Sequence, residues 1–424
     1  VSFPSRFIGV DAARARFGPR VDRVGSFLSQ GDPLADHVVK TSAEMPPGEG
    51  FRLFSRAAAH GIATVPEAPE SFRAFFTEAE RVPVWVDPDR MERGRRLFLR
   101  YGMLAGIVLG GRSLVLGYIS PAGNKPLVFS GRLEQQAPRR LAETGRFVQA
   151  ISEYRGVDVL GDGYQIALKV RLMHAQVRAM LARSDRWNAE AWGVPINQHD
   201  MAGTTLLFSI AVLDGLRTLG ARFSASEADD YMHLWRVIGR LMGVHDEILP
   251  ASEADAFALA EIIAATQEPP DDDARSLTQA LLRTPIEAAR TDLEKLVAPE
   301  RVKFGAAITR MLLGEELADD LHLVKSNYHR LLPVLRGITR TRDLVLRVSP
   351  ARRKEAEREG ERYWQNVVER SLEGKPAEFR PPEKLERPSP SSAGHSSSRP
   401  SSPLRDKAEN LRAFAGSLRR AVAG

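Results

Sequence analysis

The chain has 424 residues, enough for a large buried core, and its 43% hydrophobic and 27% charged residues are the balance of a globular protein. It contains no cysteine, which excludes disulfides, thiolate nucleophiles, iron–sulfur clusters, CxxCH-attached haem and thiolate-ligated haem. The formal net charge of +6 falls almost wholly near the C-terminus, where 16 Lys/Arg face 11 Asp/Glu from Ala351 onward, so the nearly neutral body offers no broad nucleic-acid face.

No stretch reaches the ~20 apolar residues that a membrane span needs. The nearest, 103–119, is cut by Gly110, Gly111 and Arg112. The first twenty residues carry arginines but no apolar run and no twin arginine, so no export signal is recognised and a cytoplasmic location is expected.

In chain order, Asp32 and Pro33 predict a capped helix start at 31–40. Helices follow over 51–62 and 69–82, the second opening at Pro69. Residues 81–90 read as a loop closed by Asp87 and Pro88, before a helix over 91–109. The stretch 113–120 is either a strand or a further helical turn, since periodicity does not separate the two. Pro138 marks another helix start, with Arg140 and Thr144 one turn apart on one face. Gly145 beside them costs about 1 kcal/mol relative to alanine in a helix, a cost tolerated where a backbone or ligand must come close.

Residues 166–183, IALKVRLMHAQVRAMLAR, organise the chain. Ile166, Val170, Met173, Val177 and Leu181 form an apolar stripe at helical spacing, and His174 lies on it with Arg171 and Arg178 a turn away on either side. A histidine facing a core is most simply a hydrogen-bonded core residue. Flanked by two cations it also suits haem, whose iron takes an imidazole and whose propionates take arginines.

Beyond it, 195–213 reads as an almost wholly apolar helix capped by Asp200, with another starting at Ser226 and one capped by Ser252. Helices near 273–284, 285–297, 299–314 and 316–337 complete an all-α, single multi-helix domain. The expected organisation is an N-terminal extension (1–30), the helical domain (31–345), a charged helix (346–370), a Pro/Ser-rich disordered linker (371–403) and a short amphipathic helix (404–424). The last carries Leu411, Phe414, Leu418 and Val422 on one side, and would dock on the body, on a partner or on an anionic membrane surface.

RLMHAQVR, with RLAETGRFV about 30 positions upstream and PINQHDMAGTTLLFS downstream, resembles the domain shared by the latex clearing (rubber oxygenase) proteins and a fungal ER-bound oxygenase, long catalogued as a domain of unknown function. The resemblance covers about residues 30–335. It implies an all-α fold enclosing one haem b between two core helices, with His174 as the iron ligand, Arg178 (and, by position, Arg171) at the cofactor, and Arg140 and Thr144 on the distal helix. Where the rubber-cleaving members carry a lysine before the threonine, this chain has Glu143, an acid/base only if it points inward.

The expected activity is therefore a haem b-dependent oxygenase using O2 on an apolar, unsaturated small or lipid-like substrate. A haem-binding sensor or carrier without turnover, and a cofactor-free helical interaction protein, are the alternatives. A di-iron carboxylate bundle lacks its paired Glu-x-x-His repeats, and His199 and His245 read as structural.

Overall fold

The structure is a computed structural model that describes residues 2–130, 137–379 and 381. In chain order its longer helices are α1 (Pro33–Ala43), α2 (Glu49–His60), α3 (Glu70–Glu80), α4 (Pro88–Arg100), α5 (Ala137–Ile151), α6 (Asp162–Ala182), α7 (Gln198–Phe208), α8 (Ala225–Leu241), α9 (Glu253–Thr266), α10 (Asp272–Glu287), α11 (Asp292–Leu313), α12 (Leu332–Val348) and α13 (Pro350–Leu372). The fold is all-α, as expected, with no strand among the described residues.

Short polar side chains set most of these helix starts by satisfying amide hydrogens that have no partner within the helix. Asp32 accepts from the Ala35 N–H, and Asp87 accepts from Asp89 and Arg90, each with proline at the first helical position. Four starts differ from expectation. The cap of α7 is Asn197, not Asp200. The cap of α8 is Ser224, which closes a capping box with Glu227 two residues before the expected Ser226. Pro285 and Pro299, read as boundaries, lie inside α10 and α11.

Residues 113–120 resolve as helix, not strand. After α4 the chain turns by 83° at Tyr101 and continues helically to Tyr118 through a widened π turn at Leu109–Ser113. That turn holds Gly110, Gly111 and the buried Arg112, whose guanidinium pairs with Asp214. Among the described residues no single helix is long and apolar enough to cross a membrane. The apolar 195–213 stretch is two helices, α7 and Ile210–Thr218, broken at Ser209.

The core is centred on Phe98 of α4. It stacks on Tyr231 of α8 (6.1 Å between centroids) and on Trp364 of α13 (5.4 Å). Glycines permit this density: a Cβ on Gly94 would strike the Asp230 backbone of α8, and one on Gly360 would strike the Leu99 carbonyl.

The helix expected as a charged addition at 346–370 is thus α13, a core element that buries Ala356, Gly360, Trp364, Val368 and Leu372. The expected N-terminal extension is likewise built in, with Phe7, Val21 and Leu28 buried in the main core. Residues 382–403 of the expected linker, and the whole 404–424 segment, lie outside the described residues.

Candidate functional site

Helix α6 is wrapped by α1, α2, α5 and α8. Its burial follows from this. Tyr164, Ala167, Leu168, Leu172 and Ala175 are as buried as the expected stripe members Ile166, Val177 and Leu181, while Val170 and Met173 are only half-buried. The one-sided stripe of the sequence is in fact a helix enclosed on most faces.

His174 sits at the middle of α6. Its ring is enclosed by the chain, while the residue as a whole is only half-buried. Its Nδ1 is buried with no hydrogen-bond partner. Burial, and then the positive fields of Arg178 and Arg140, lower the imidazole pKa to about 4, with Asp32 opposing them. At neutral pH the ring is therefore uncharged, the form in which imidazole ligates a metal.

The flanking arginines are anchored. Arg171, rotated about 60° around the helix from His174, donates from Nε to Asp32 (2.6 Å) and from Nη2 to the other oxygen (2.9 Å), and its guanidinium lies over the Phe75 ring. Gly243, at φ +84°, completes this contact: a Cβ there would run into both the Asp32 carboxylate and the Arg171 guanidinium. Arg171, expected at the cofactor's acidic edge, is thus a strut between α6 and the N-cap of α1. Arg178 donates to Asp36 (2.8 Å) and to the Ile196 carbonyl (2.7 Å). Burial raises the Asp36 carboxyl's pKa in spite of that cation.

Helix α5 packs along α6. Arg140 and Thr144, both half-buried, stand one turn apart on it. The field of Arg140 reaches both His174 and the Tyr118 hydroxyl. Burial pushes that hydroxyl up to about 12, with Arg140 pulling against it. Sequence reasoning missed Tyr118, which carries no motif and meets Arg140 only through the fold.

Glu143 is elsewhere. It receives Arg139 (3.3 Å) and the Glu378 N–H (3.5 Å), on the side of α5 that meets the C-terminal segment. The acid/base role conditional on its pointing inward is not supported. Gly145 faces α13, where the nearest atoms to an added Cβ would be Val368 Cγ2 at 3.9 Å and Val367 Cγ1 at 4.0 Å, so no close approach demands it.

A pocket of about 130 Å3 lies between the 114–120 segment, α7 and α9, walled by Leu116, Leu207, Ile210 and Ile263 and lined also by His199 and Asp200. Asp200 takes both terminal nitrogens of Arg6 (2.9 Å each), Asn197 Nδ2 (3.0 Å) and His199 Nδ1 (3.3 Å). Burial opposes ionisation there, but Arg6 and His199 hold the carboxyl well below the usual carboxylate range. This explains why Asp200 does not cap α7: its carboxylate is spent on Arg6. Among the described residues no group of three or more His, Asp or Glu forms a metal centre of its own.

Residues 98–343 match the family model described as "ER-bound oxygenase mpaB/B'/Rubber oxygenase, catalytic domain". A rubber oxygenase from Streptomyces sp. (strain K30) is 28% identical over 265 residues, which is 61% of this chain and 61% of that protein; the match spans less than two thirds of the relative's length. Among solved structures, latex clearing protein in its closed state superposes with a TM-score of 0.63 at 23% identity, covering 80% of this chain and 88% of that one, a likeness of fold.

Proposed function

Since this chain belongs to the family of the ER-bound oxygenase mpaB/B' and rubber oxygenase catalytic domain, we propose that it is an oxygenase that works with one haem b on an apolar, unsaturated small or lipid-like substrate. The observation that carries this reading is His174, a buried neutral imidazole whose Nδ1 has no hydrogen-bond partner, between the fields of Arg178 and Arg140.

These residues fit the group. His174 would hold the iron, and α5 and α6 would form the two walls. When bound, haem would supply redox chemistry toward dioxygen that no side chain here can perform. The chain's own contribution is positional. Burial keeps the His174 proton off at neutral pH, so the nitrogen stays available as a ligand. Arg140 and Thr144 place an N–H and an O–H one turn apart on α5, where they would orient a polar atom held between the helices. Arg178, tied to Asp36 and the Ile196 carbonyl, fixes the last turns of α6.

The test is the visible spectrum of the purified protein, reconstituted with haem and recorded before and after reduction and carbon monoxide. A haem band that shifts with carbon monoxide is expected, with loss of stoichiometric haem in His174→Ala protein whose helical circular dichroism is unchanged. Full haem in that variant, or no band after reconstitution, would overturn the reading.

A further inference from the structure

Helix α12 carries apolar residues on both sides, with Leu332, Leu335 and Leu346 packed inward. Its inward side is fastened by polar groups: Asp343 accepts from the Tyr101 hydroxyl (2.9 Å) and the Arg222 N–H (2.7 Å), Arg336 Nε donates to the Thr218 carbonyl (2.7 Å), and Arg342 donates to the Arg100 carbonyl (2.7 Å). Its outward side is apolar. Val334 is 58% exposed, Ile338 62%, Leu344 59% and Val348 83%, with Leu331 and Val345 also exposed. Val334, Ile338, Leu344, Val345 and Val348 fall within about 120° of one another around the helix, so they form one apolar side along it. A stripe of this extent, unlike scattered single residues, marks an interaction surface.

The charges select the partner. Asp343 is the one acid between 331 and 348 and it is buried, so no carboxylate borders the stripe from its own helix. Arg330, Arg340 and Arg347 are exposed along it, and Arg352 and Lys354 follow at the start of α13. A second copy would bring arginine against arginine. The chain's own C-terminal segment, with Arg405, Lys407, Arg412, Arg419 and Arg420 against Asp406 and Glu409, would do the same. A surface that is apolar beneath and anionic above satisfies both the stripe and its arginine fringe, the long side chains reaching up to the headgroups.

We propose that the outward face of α12 docks this protein on an anionic phospholipid surface. The inference does not rest on the haem reading.

The test is co-sedimentation of the full chain with vesicles of phosphatidylcholine alone and with about one third phosphatidylglycerol. Partitioning onto the anionic vesicles is expected to be at least tenfold stronger, a difference of about 1.4 kcal/mol or more. Ile338→Glu/Leu344→Glu should lose that binding and keep the wild-type melting curve, since both positions are exposed. Arg340→Glu/Arg347→Glu should weaken it and flatten its salt dependence, while Leu411→Glu/Leu418→Glu should retain it within about twofold. Failure of the wild type to bind, loss only in the Leu411/Leu418 pair, or a dimer on gel filtration that Ile338→Glu/Leu344→Glu converts to monomer would each overturn the proposal.

Discussion

Arg171 grips Asp32 with two hydrogen bonds across 139 residues of sequence, and the same carboxylate caps α1. One ion pair therefore both starts a helix and ties the His174 helix to it. The side chains are 7% and 9% exposed, so losing one partner leaves the other charged and buried. Arg171→Met is expected to cost about 3–5 kcal/mol. Asp32→Asn keeps a competent cap but leaves the Arg171 cation without a counter-charge, so it should cost a similar amount. In urea melts the double variant should fall short of the sum of the two losses; strict additivity would mean that the pair is not coupled.

The His174 imidazole gives a second expectation. Its folded pKa of about 4 lies below the 6.5 of an unfolded chain, so the unfolded state takes up the proton first as pH falls. Its effect on stability is therefore absent above about pH 6.5, and stability is lost progressively between 6.5 and 4, by up to about 3 kcal/mol. Melts of the haem-free protein across that window should show the loss, and His174→Leu should reduce it. An unchanged slope in the variant would show that His174 is not held neutral.

Gly145 gives a third. An added methyl would meet α13 at ordinary van der Waals distance, and alanine favours helix over glycine by about 1 kcal/mol. Gly145→Ala should raise the melting temperature by a few degrees and leave haem content as in the wild type. A fall in either would restore a ligand-facing role for this position.

How far the sequence could be read depends on whether a signal is local. Caps such as Asp32 and Ser252 lie next to the helices they begin, and both were legible, whereas Asp87, read as the end of a loop before a helix at 91, caps a helix that starts at Pro88. The buried helix that carries His174 was legible because its apolar spacing lies within one segment. What Arg171 does was not, because its partner is in α1, and neither was the inward field of Arg140 on Tyr118. Asp200 misled for the same reason: as a local cap it is plausible, but Arg6, 194 residues away, claims it. Composition misled at α13, whose many charges hide the spaced Ala356, Gly360, Trp364 and Val368 that it buries.

The Phe98 stack has a consequence for synthesis. Its two faces are covered by Tyr231 and by Trp364, and the second arrives only after most of the chain has left the ribosome. Until then α4 carries an uncovered aromatic surface, and closing it requires contacts between residues far apart in sequence, the slow kind. The family match ends at residue 343, before α13 begins. A fragment cut at that boundary would leave Phe98 and the Leu99 backbone that Gly360 packs on uncovered on one side, and would be recognised as unfinished by the chaperones and proteases that survey nascent protein.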